Sequence, residues 1–161
     1  MNNWYRFRLG GLNSHLILTL MKDFENFGDI NKKDLIELNY SKETIDSLSS
    51  LLEIDLEDEK EKYKRNKVRI LSYNSDEYPR MLKEISNPPP FLYVKGNGKF
   101  SNKSLAVVGT RKISSYGKLA CDKIVSGFNN KGITIVSGLA LGVDTYAHEI
   151  ALKGNSSVIG V

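Results

Sequence analysis

The hydrophobic positions in the first part of the chain follow a helical period. Apolar side chains recur every fourth residue from Leu16 to Phe24, which predicts an amphipathic helix that ends near residue 28. Asn13 or Ser14 is expected to be the N-cap of this helix, and Ser41 that of a later one, each just before an apolar stripe of helical spacing. This part of the chain is therefore predicted to form a small helical domain.

The middle of the chain alternates short strands with proline-bearing segments. VRILSY, residues 68–73, and FLYVKG, residues 91–96, are each predicted to form a strand. Between them, Pro79 is placed to start a helix. The buried side of that helix is predicted to consist of Met81, Leu82 and Ile85. A turn rich in Gly, Asn and Ser is predicted over residues 95–104.

The last third of the chain alternates strand and helix. Strands are predicted over residues 105–108, 133–136 and 157–161, and helices over 116–130 and 143–152. Strands joined by helices form a parallel sheet, so the fold class is α/β. A sheet of this extent leaves an unpaired edge. We therefore expect either that the chain is a fragment of a longer protein or that a partner completes the sheet.

Glycine-rich turns follow the first two strands of this region. The segments LAVVGTRKISSYG, residues 105–117, and TIVSGLALGVDTYAHEIALKG, residues 134–154, each read as strand, turn and helix. Backbone N–H groups at such turns and at the helix starts behind them can hold phosphate. Neither a Walker Lys-Ser/Thr pair nor a GxGxxG follows the first strand, which disfavours a nucleoside triphosphatase and a classical NAD enzyme.

Positive charge is concentrated in the same region. Residues 99–161 carry eight Lys or Arg against three Asp or Glu, whereas residues 1–98 carry 15 against 16. An excess of this sign suits a surface that faces phosphate. The pattern therefore favours a polyanion as the partner of the Gly-rich region.

The remaining composition excludes several kinds of site. The single cysteine, Cys121, excludes an intramolecular disulfide and a multi-cysteine metal site. Its helical spacing with Ile124, Val125 and Phe128 predicts that it is buried. No metal or cofactor is predicted. No apolar run approaches the ~18 residues that a membrane span needs, and no cleavage site follows the N-terminal apolar patch. A cytoplasmic location without membrane contact is predicted.

Three motifs in this order, YPRMLKEISNPPPFLYVKG, VGTRKISSYG and SGLALGVDTYAH, resemble the DNA-processing protein A (DprA/Smf) family. The resemblance implies a helical domain similar to a sterile alpha motif over residues 1–65. It implies the first half of a Rossmann-like DNA-binding domain over residues 66–161. Members bind incoming single-stranded DNA in natural transformation and load the recombinase RecA on it, which is not an enzymatic role. Further strands, the homodimer contact and the RecA contact belong to the later part of the family's sequence.

The residues predicted to bind the DNA are Gly109, Thr110, Arg111, Lys112, Ser114, Tyr116, Gly117, Ser137, Gly138 and Leu139. The resemblance implies that the Gly109-Thr110-Arg111 turn contacts the DNA backbone. From residue chemistry, Gly109 is expected to leave room for a ligand, Gly138 to offer its backbone amide, and the Ser137 hydroxyl to contact a phosphate oxygen. Structural alternatives stand beside three of these roles: Arg111 pairs with a carboxylate, Ser114 caps a helix, and Tyr116 packs on the sheet. Asp144 and His148 share a helix face, and we favour a structural role for both over an acid–base dyad. Asp144 is expected to stabilise the helix N-terminus, and His148 to hydrogen-bond to Asp144 or to the adjacent loop.

Two other functions remain as alternatives. A related Rossmann-like enzyme or sensor of the phosphoribohydrolase type would bind a small nucleotide at the same turns. Such proteins carry a Pro-Gly-Gly turn and a catalytic Glu, and neither is found at these turns. The other alternative is an inactive, truncated remnant. Displacement of an oligonucleotide by a mononucleotide separates the first alternative from DNA binding.

Overall fold

A computed structural model describes residues 3–96, 100–101 and 103–161, and the chain divides into two compact units, residues 1–97 and 98–161. Residues 97–99 and 102, within the turn predicted over 95–104, lie outside the described ranges. The predicted boundary between residues 65 and 66 falls inside the first unit. The assignment of residues 1–65 and 66–161 to separate functional domains stays a prediction.

The first unit consists of short helices and a two-stranded antiparallel sheet. Its elements are α1 (Tyr5–Leu9), α2 (Ser14–Asp23), a 3-10 helix (Phe27–Asp29), α3 (Lys32–Glu37), α4 (Lys42–Leu51), α5 (Glu57–Arg65), β1 (Val68–Ser72), α6 (Arg80–Lys83) and β2 (Phe91–Lys95). The helix α1 has no counterpart among the sequence-based predictions. The helix α4 follows the predicted cap Ser41, and both strands agree with the predicted segments to within one residue.

Both predicted N-caps of the first unit are confirmed. The Asn13 side chain accepts a hydrogen bond from the backbone N–H of Leu16 over 2.8 Å. The Ser41 hydroxyl accepts one from the backbone N–H of Thr44 over 3.2 Å. The end predicted for α2 near residue 28 is wrong, because Phe24 takes an extended conformation (φ −125°, ψ 127°) and the helix stops before it.

The strands β1 and β2 share a hydrophobic core with the helices before them, which is why the first unit extends beyond residue 65. Phe91 on β2 is buried in the same cluster as Phe7, Leu20 and Leu48. The rings of Tyr5 and Phe91 meet edge to face with centroids 5.2 Å apart. Each fully buried side chain of this size stabilises the fold by about 1.5–3 kcal/mol.

Of the three residues predicted to form the buried side of α6, Leu82 is half-buried and the other two are exposed. Met81 is 70% exposed and Ile85 is also exposed, whereas Tyr78, just before the helix, is buried. The Tyr78 hydroxyl donates a hydrogen bond to the carbonyl oxygen of Pro89 over 2.7 Å. A helix of four residues is too short to present an apolar stripe, so Tyr78 supplies the buried contact instead.

The second unit is a three-stranded parallel sheet with two helices. Its elements are β3 (Ser104–Ala106), α7 (Ser115–Ser126), β4 (Thr134–Ser137), α8 (Val143–Lys153) and β5 (Val158–Gly160). The strand order is β3-β4-β5, with Leu105 opposite Ile135 and Val136 opposite Ile159. The predicted α/β fold class, a helical part followed by a partial Rossmann-like parallel sheet, is confirmed.

The core of the second unit lies between its helices and the central strand. Its buried residues are Cys121, Val125, Ile135, Ala147, Ile150 and Ala151. The predicted burial of Cys121 is therefore confirmed, and burial raises the pKa of its thiol. Of the residues grouped with it, Val125 is buried whereas Ile124 is exposed. Across the described ranges of the chain, no helix combines the length and apolar character that crossing a membrane requires.

Candidate nucleic-acid interface

The two Gly-rich turns lie side by side at one edge of the parallel sheet. The first turn, residues 107–114, joins β3 to α7, and the second turn, residues 138–142, joins β4 to α8. The carboxyl ends of neighbouring parallel strands meet at the same edge. The backbone N–H of Val143 donates to the carbonyl oxygen of Thr110 over 3.1 Å, so the two segments are in direct contact.

Glycine is required at two positions of these turns because the neighbouring segments leave no room for a Cβ. A Cβ on Gly109 would lie 2.8 Å from Cγ2 of Val143. Gly142 has a φ of +88°, and a Cβ there would lie 2.2 Å from the carbonyl oxygen of Thr110. The prediction that Gly109 leaves room for a ligand therefore needs correction, since the space that a Cβ would fill is already taken by Val143.

The Asp144 carboxylate joins the two turns. One oxygen accepts a hydrogen bond from the backbone N–H of Gly109 over 3.3 Å, and the other accepts from the backbone N–H of Gly138 over 3.1 Å. Asp144 is only 5% exposed and lies in the first turn of α8, where a negative charge is favourable. We call these two hydrogen bonds the Asp144 bridge. The N–H groups of Gly109 and Gly138 are therefore already occupied, contrary to the prediction that Gly138 offers its amide to phosphate.

His148 does not take part in that bridge. Its Nε2 lies 3.2 Å from the carbonyl oxygen of Ile159. Because a carbonyl oxygen can only accept, Nε2 carries the proton in this contact. His148 therefore ties α8 to β5. The structural interpretation of both Asp144 and His148 agrees with these contacts, although the predicted hydrogen bond of His148 to Asp144 or the adjacent loop is not the one that forms.

Arg111 is exposed in the first turn. Within the described ranges no carboxylate pairs with its guanidinium, so the alternative of an internal ion pair is not supported. Its neighbour Lys112 is also exposed, and the Lys112 backbone N–H donates to Oγ1 of Thr110 over 3.1 Å. Thr110 thereby orders the turn from which both cations extend.

Several backbone N–H groups of the two turns have no acceptor in the described part of the protein. They are those of Thr110, Arg111, Leu139 and Ala140. Leu139 has a φ of +55°, a conformation that is strained for a bulky residue, and its side chain is 66% exposed. Backbone N–H groups are obligatory donors, and strained residues cluster at functional sites. Free amides from both turns are therefore available to an anion near Arg111.

The start of α7 presents one cap and one exposed aromatic side chain. Ser114 Oγ accepts a hydrogen bond from the backbone N–H of Gly117 over 3.1 Å, which agrees with its interpretation as an N-cap. Tyr116 is 80% exposed, so the alternative that it packs on the sheet is wrong. Its ring is free to stack on a flat ligand.

Ser137 lies inside the protein. It is 2% exposed, and its hydroxyl donates to the carbonyl oxygen of Val107 over 2.6 Å. The hydroxyl that was predicted to contact phosphate therefore joins the ends of β3 and β4. Six of the ten predicted residues have exposed side chains at the turns: Thr110, Arg111, Lys112, Ser114, Tyr116 and Leu139. Thr110, Arg111 and Leu139 also have free amides in the described part of the chain.

The contribution of Asp144 to the turns was not predicted as such. The sequence contained a relevant signal, because an Asp in the first helical turn after a Gly-rich segment can reach amides of that segment. Its bond to Gly109, 35 residues away, could not be inferred from local spacing.

Comparisons with known proteins agree with this architecture. The family model described as DNA recombination-mediator protein A matches residues 69–161. The DNA processing protein DprA of Streptococcus pneumoniae is 31% identical over 159 residues, which cover 98% of this chain and 55% of that protein. The protein of the same name from Bacillus subtilis is 35% identical over 101 residues, which cover 62% of this chain and 34% of that protein.

A solved structure is also similar. The X-ray structure of DNA processing protein A from Streptococcus pneumoniae superposes with a TM-score of 0.74 at 30% identity, covering all of this chain and 57% of that one. The chain therefore spans about a third to somewhat more than half of the length of these relatives.

Proposed function

This chain belongs to the DNA recombination-mediator protein A family, also called DprA/Smf, and we propose that it binds single-stranded DNA at its two Gly-rich turns. Arg111 donates to phosphate oxygens through its planar guanidinium. The free N–H groups of the first and second turns complete the contact, and Lys112 adds positive charge. The proposed role is binding, and no residue is assigned to catalysis.

The observation that carries this proposal is that Arg111 has an unpaired guanidinium on one of two adjoining turns, both of which have free backbone amides. Phosphate contacts of this kind are independent of base sequence. The Asp144 carboxylate does not compete with a ligand for the guanidinium, because it accepts hydrogen bonds from the backbone N–H groups of Gly109 and Gly138. A polyanion is therefore the ligand class that the site fits.

Exposed flat and apolar side chains favour a single strand over a duplex. Tyr116 and Leu139 stand exposed at the same turns as Arg111. An aromatic ring can stack on an unpaired base, whereas the bases of a duplex are already stacked on one another. Tyr116 is proposed as the stacking residue.

The wider role in recombination rests on family membership. The relatives from Streptococcus pneumoniae and Bacillus subtilis are named DNA processing proteins. We extend the proposal to mediation of recombination in natural transformation, with RecA loaded on the bound strand and with a homodimer as the acting form. A cytoplasmic location goes with this role.

Equilibrium binding of a fluorescent oligothymidylate to the chain tests the proposal. If two or three phosphates are contacted, the affinity falls about 7- to 20-fold as NaCl rises from about 50 to 200 mM, since the logarithmic slope is about −0.7 for each phosphate of a single strand. A duplex of the same length binds more weakly. An affinity that does not change with NaCl concentration contradicts the proposal, and so does displacement of the labelled oligothymidylate by AMP.

A further inference from the structure

The Asp144 bridge is a buried negative charge placed where the proposed phosphate site begins. Its carboxylate accepts from one amide of each turn, those of Gly109 and Gly138. Gly109 is two residues before Arg111, and Gly138 immediately precedes Leu139. The residues whose N–H groups are free thus follow directly after the residues that the carboxylate holds.

We propose that Asp144 is a positioning residue that sets the spacing of the two turns, so that one DNA strand contacts Arg111 and the free amides of both turns together. This inference rests on the proposed function. Within the described ranges the carboxylate has no cationic partner, and the two amides and the start of α8 stabilise its charge. The charged carboxylate therefore holds backbone N–H groups of both turns and does not form an ion pair.

The alternative role for this carboxylate makes the opposite prediction. An anion bound to amides at a helix start occupies a place that a phosphate can take. If Asp144 competed with DNA, its removal would open that place and strengthen binding. If Asp144 positions the turns, its removal lets them separate and weakens binding.

The substitution Asp144→Asn distinguishes these two roles. The amide oxygen can still accept from one turn, but the amide nitrogen faces the N–H of the other turn, donor to donor. We expect oligothymidylate affinity to fall about tenfold and the logarithmic salt slope to become smaller in magnitude by about 0.7, the value for one lost phosphate contact. Tighter binding with a steeper slope, or no change, overturns the proposal.

Asp122→Asn is the matched control for charge. Asp122 is exposed on α7 in the same unit, and the substitution removes the same charge. It is expected to leave the salt slope unchanged and the affinity equal or slightly higher. A loss of affinity equal to that of Asp144→Asn would mean that the loss is not specific to the bridge, and would overturn the proposal.

A second variant keeps the carboxylate and displaces it. A Cβ at Gly138 would lie 2.9 Å from Asp144 Oδ2, and Gly138 is not among the glycines with positive φ. Gly138→Ala should therefore break the bridge without altering charge, and we expect the same loss of affinity and slope. If Asp144→Asn does not fold, this variant carries the test, and unchanged binding by it overturns the proposal.

Amide hydrogen exchange measured without DNA separates this proposal from the proposed function. The N–H groups of Gly109 and Gly138 should exchange at least tenfold faster in Asp144→Asn than in the unsubstituted chain, and not in Asp122→Asn. Unchanged exchange shows that the bridge does not exist and overturns the inference. Accelerated exchange in a chain that never binds oligothymidylate overturns the proposed function, and with it the DNA role of Asp144.

Discussion

The backbone N–H of Val143 donates to the carbonyl oxygen of Thr110 over 3.1 Å, so the first turn caps the helix that follows the second turn. The first N–H groups of a helix have no partner within it. Here the residue before α8 is Gly142, which has no side chain to serve as a cap. The segment that carries Arg111 is therefore held by the start of α8.

Gly142 makes this contact possible, and replacing it should destabilise the second unit. A Cβ at Gly142 would lie 2.2 Å from the Thr110 carbonyl oxygen, at a φ of +88°. Gly132 has a similar φ of +68° but has no atom within 4 Å of an added Cβ. Gly142→Ala should therefore lower the free energy of unfolding by about 1–3 kcal/mol more than Gly132→Ala, as measured by urea unfolding. If both substitutions lowered the free energy of unfolding equally, this would contradict the close contact between Gly142 and Thr110.

Ser137 should affect stability and not DNA binding. Its buried hydroxyl donates to the carbonyl oxygen of Val107 over 2.6 Å. Ser137→Ala removes that hydrogen bond, so we expect the free energy of unfolding to fall by about 1 kcal/mol while oligothymidylate affinity stays the same. A loss of affinity at unchanged stability would restore the role in phosphate binding that the sequence suggested.

Tyr116 is expected to contribute to binding and not to folding. Its side chain is exposed, so Tyr116→Ala should change the free energy of unfolding by less than about 0.5 kcal/mol. Loss of base stacking should weaken oligothymidylate binding by about 1–3 kcal/mol. Tyr116→Phe keeps the ring and serves as the control with near-normal affinity. If Tyr116→Ala and Tyr116→Phe bind oligothymidylate with equal affinity, bases do not stack on this ring.

Alternating strands and helices could be predicted because each leaves a local pattern. The strands around Leu105, Ile135 and Ile159 have short apolar runs, and Ser114 precedes a helix as caps do. The parallel order then places both turns at one edge. Arg111 could be selected because a guanidinium in a Gly-rich turn is recognisable without coordinates.

The contacts inside the site could not be predicted, because they join residues that are far apart in sequence. Ser137 reaches Val107, 30 residues away, and Asp144 reaches Gly109, 35 residues away. Both bonds use groups that local reasoning assigned to the ligand. The burial of Tyr78 in place of Met81 has a similar cause, since the partner of Tyr78 is Pro89 on another segment.

Tyr78 is expected to make the stability of the first unit depend on pH in the alkaline range. Burial raises the pKa of Tyr78 from 10.0 to about 12, with a smaller contribution from Tyr73. The neutral phenol is favoured in the folded state, so its stabilisation is complete below pH ~10 and is lost as pH rises through about 12. Tyr78→Phe should cost about 1 kcal/mol at pH ~8, from the lost hydrogen bond, and should make unfolding less dependent on pH between about 10 and 12. If the free energy of unfolding varied with pH in the same way for Tyr78→Phe and for the unsubstituted chain, Tyr78 would not be the source of this pH dependence.

Arg111 carries the central claim, and a control for its charge lies on the same unit. Lys123 is exposed in the last turn of α7, about 12 Å along the helix from its start. Lys123→Ala removes the same charge away from the turns. Arg111→Lys keeps the charge and removes the planar fork, so it reports whether the guanidinium geometry matters.

The most direct test is oligothymidylate affinity, measured by fluorescence anisotropy at one fixed salt concentration. It compares the unsubstituted chain with Arg111→Ala, Arg111→Lys and Lys123→Ala. Arg111→Ala should weaken binding about 10- to 100-fold, as expected for a lost hydrogen-bonded charge of about 1.5–3 kcal/mol, with unchanged thermal unfolding. Arg111→Lys should be intermediate, and Lys123→Ala should stay within about twofold of the unsubstituted chain. Equal affinities of Arg111→Ala and Lys123→Ala would contradict the assignment of this turn as the DNA site.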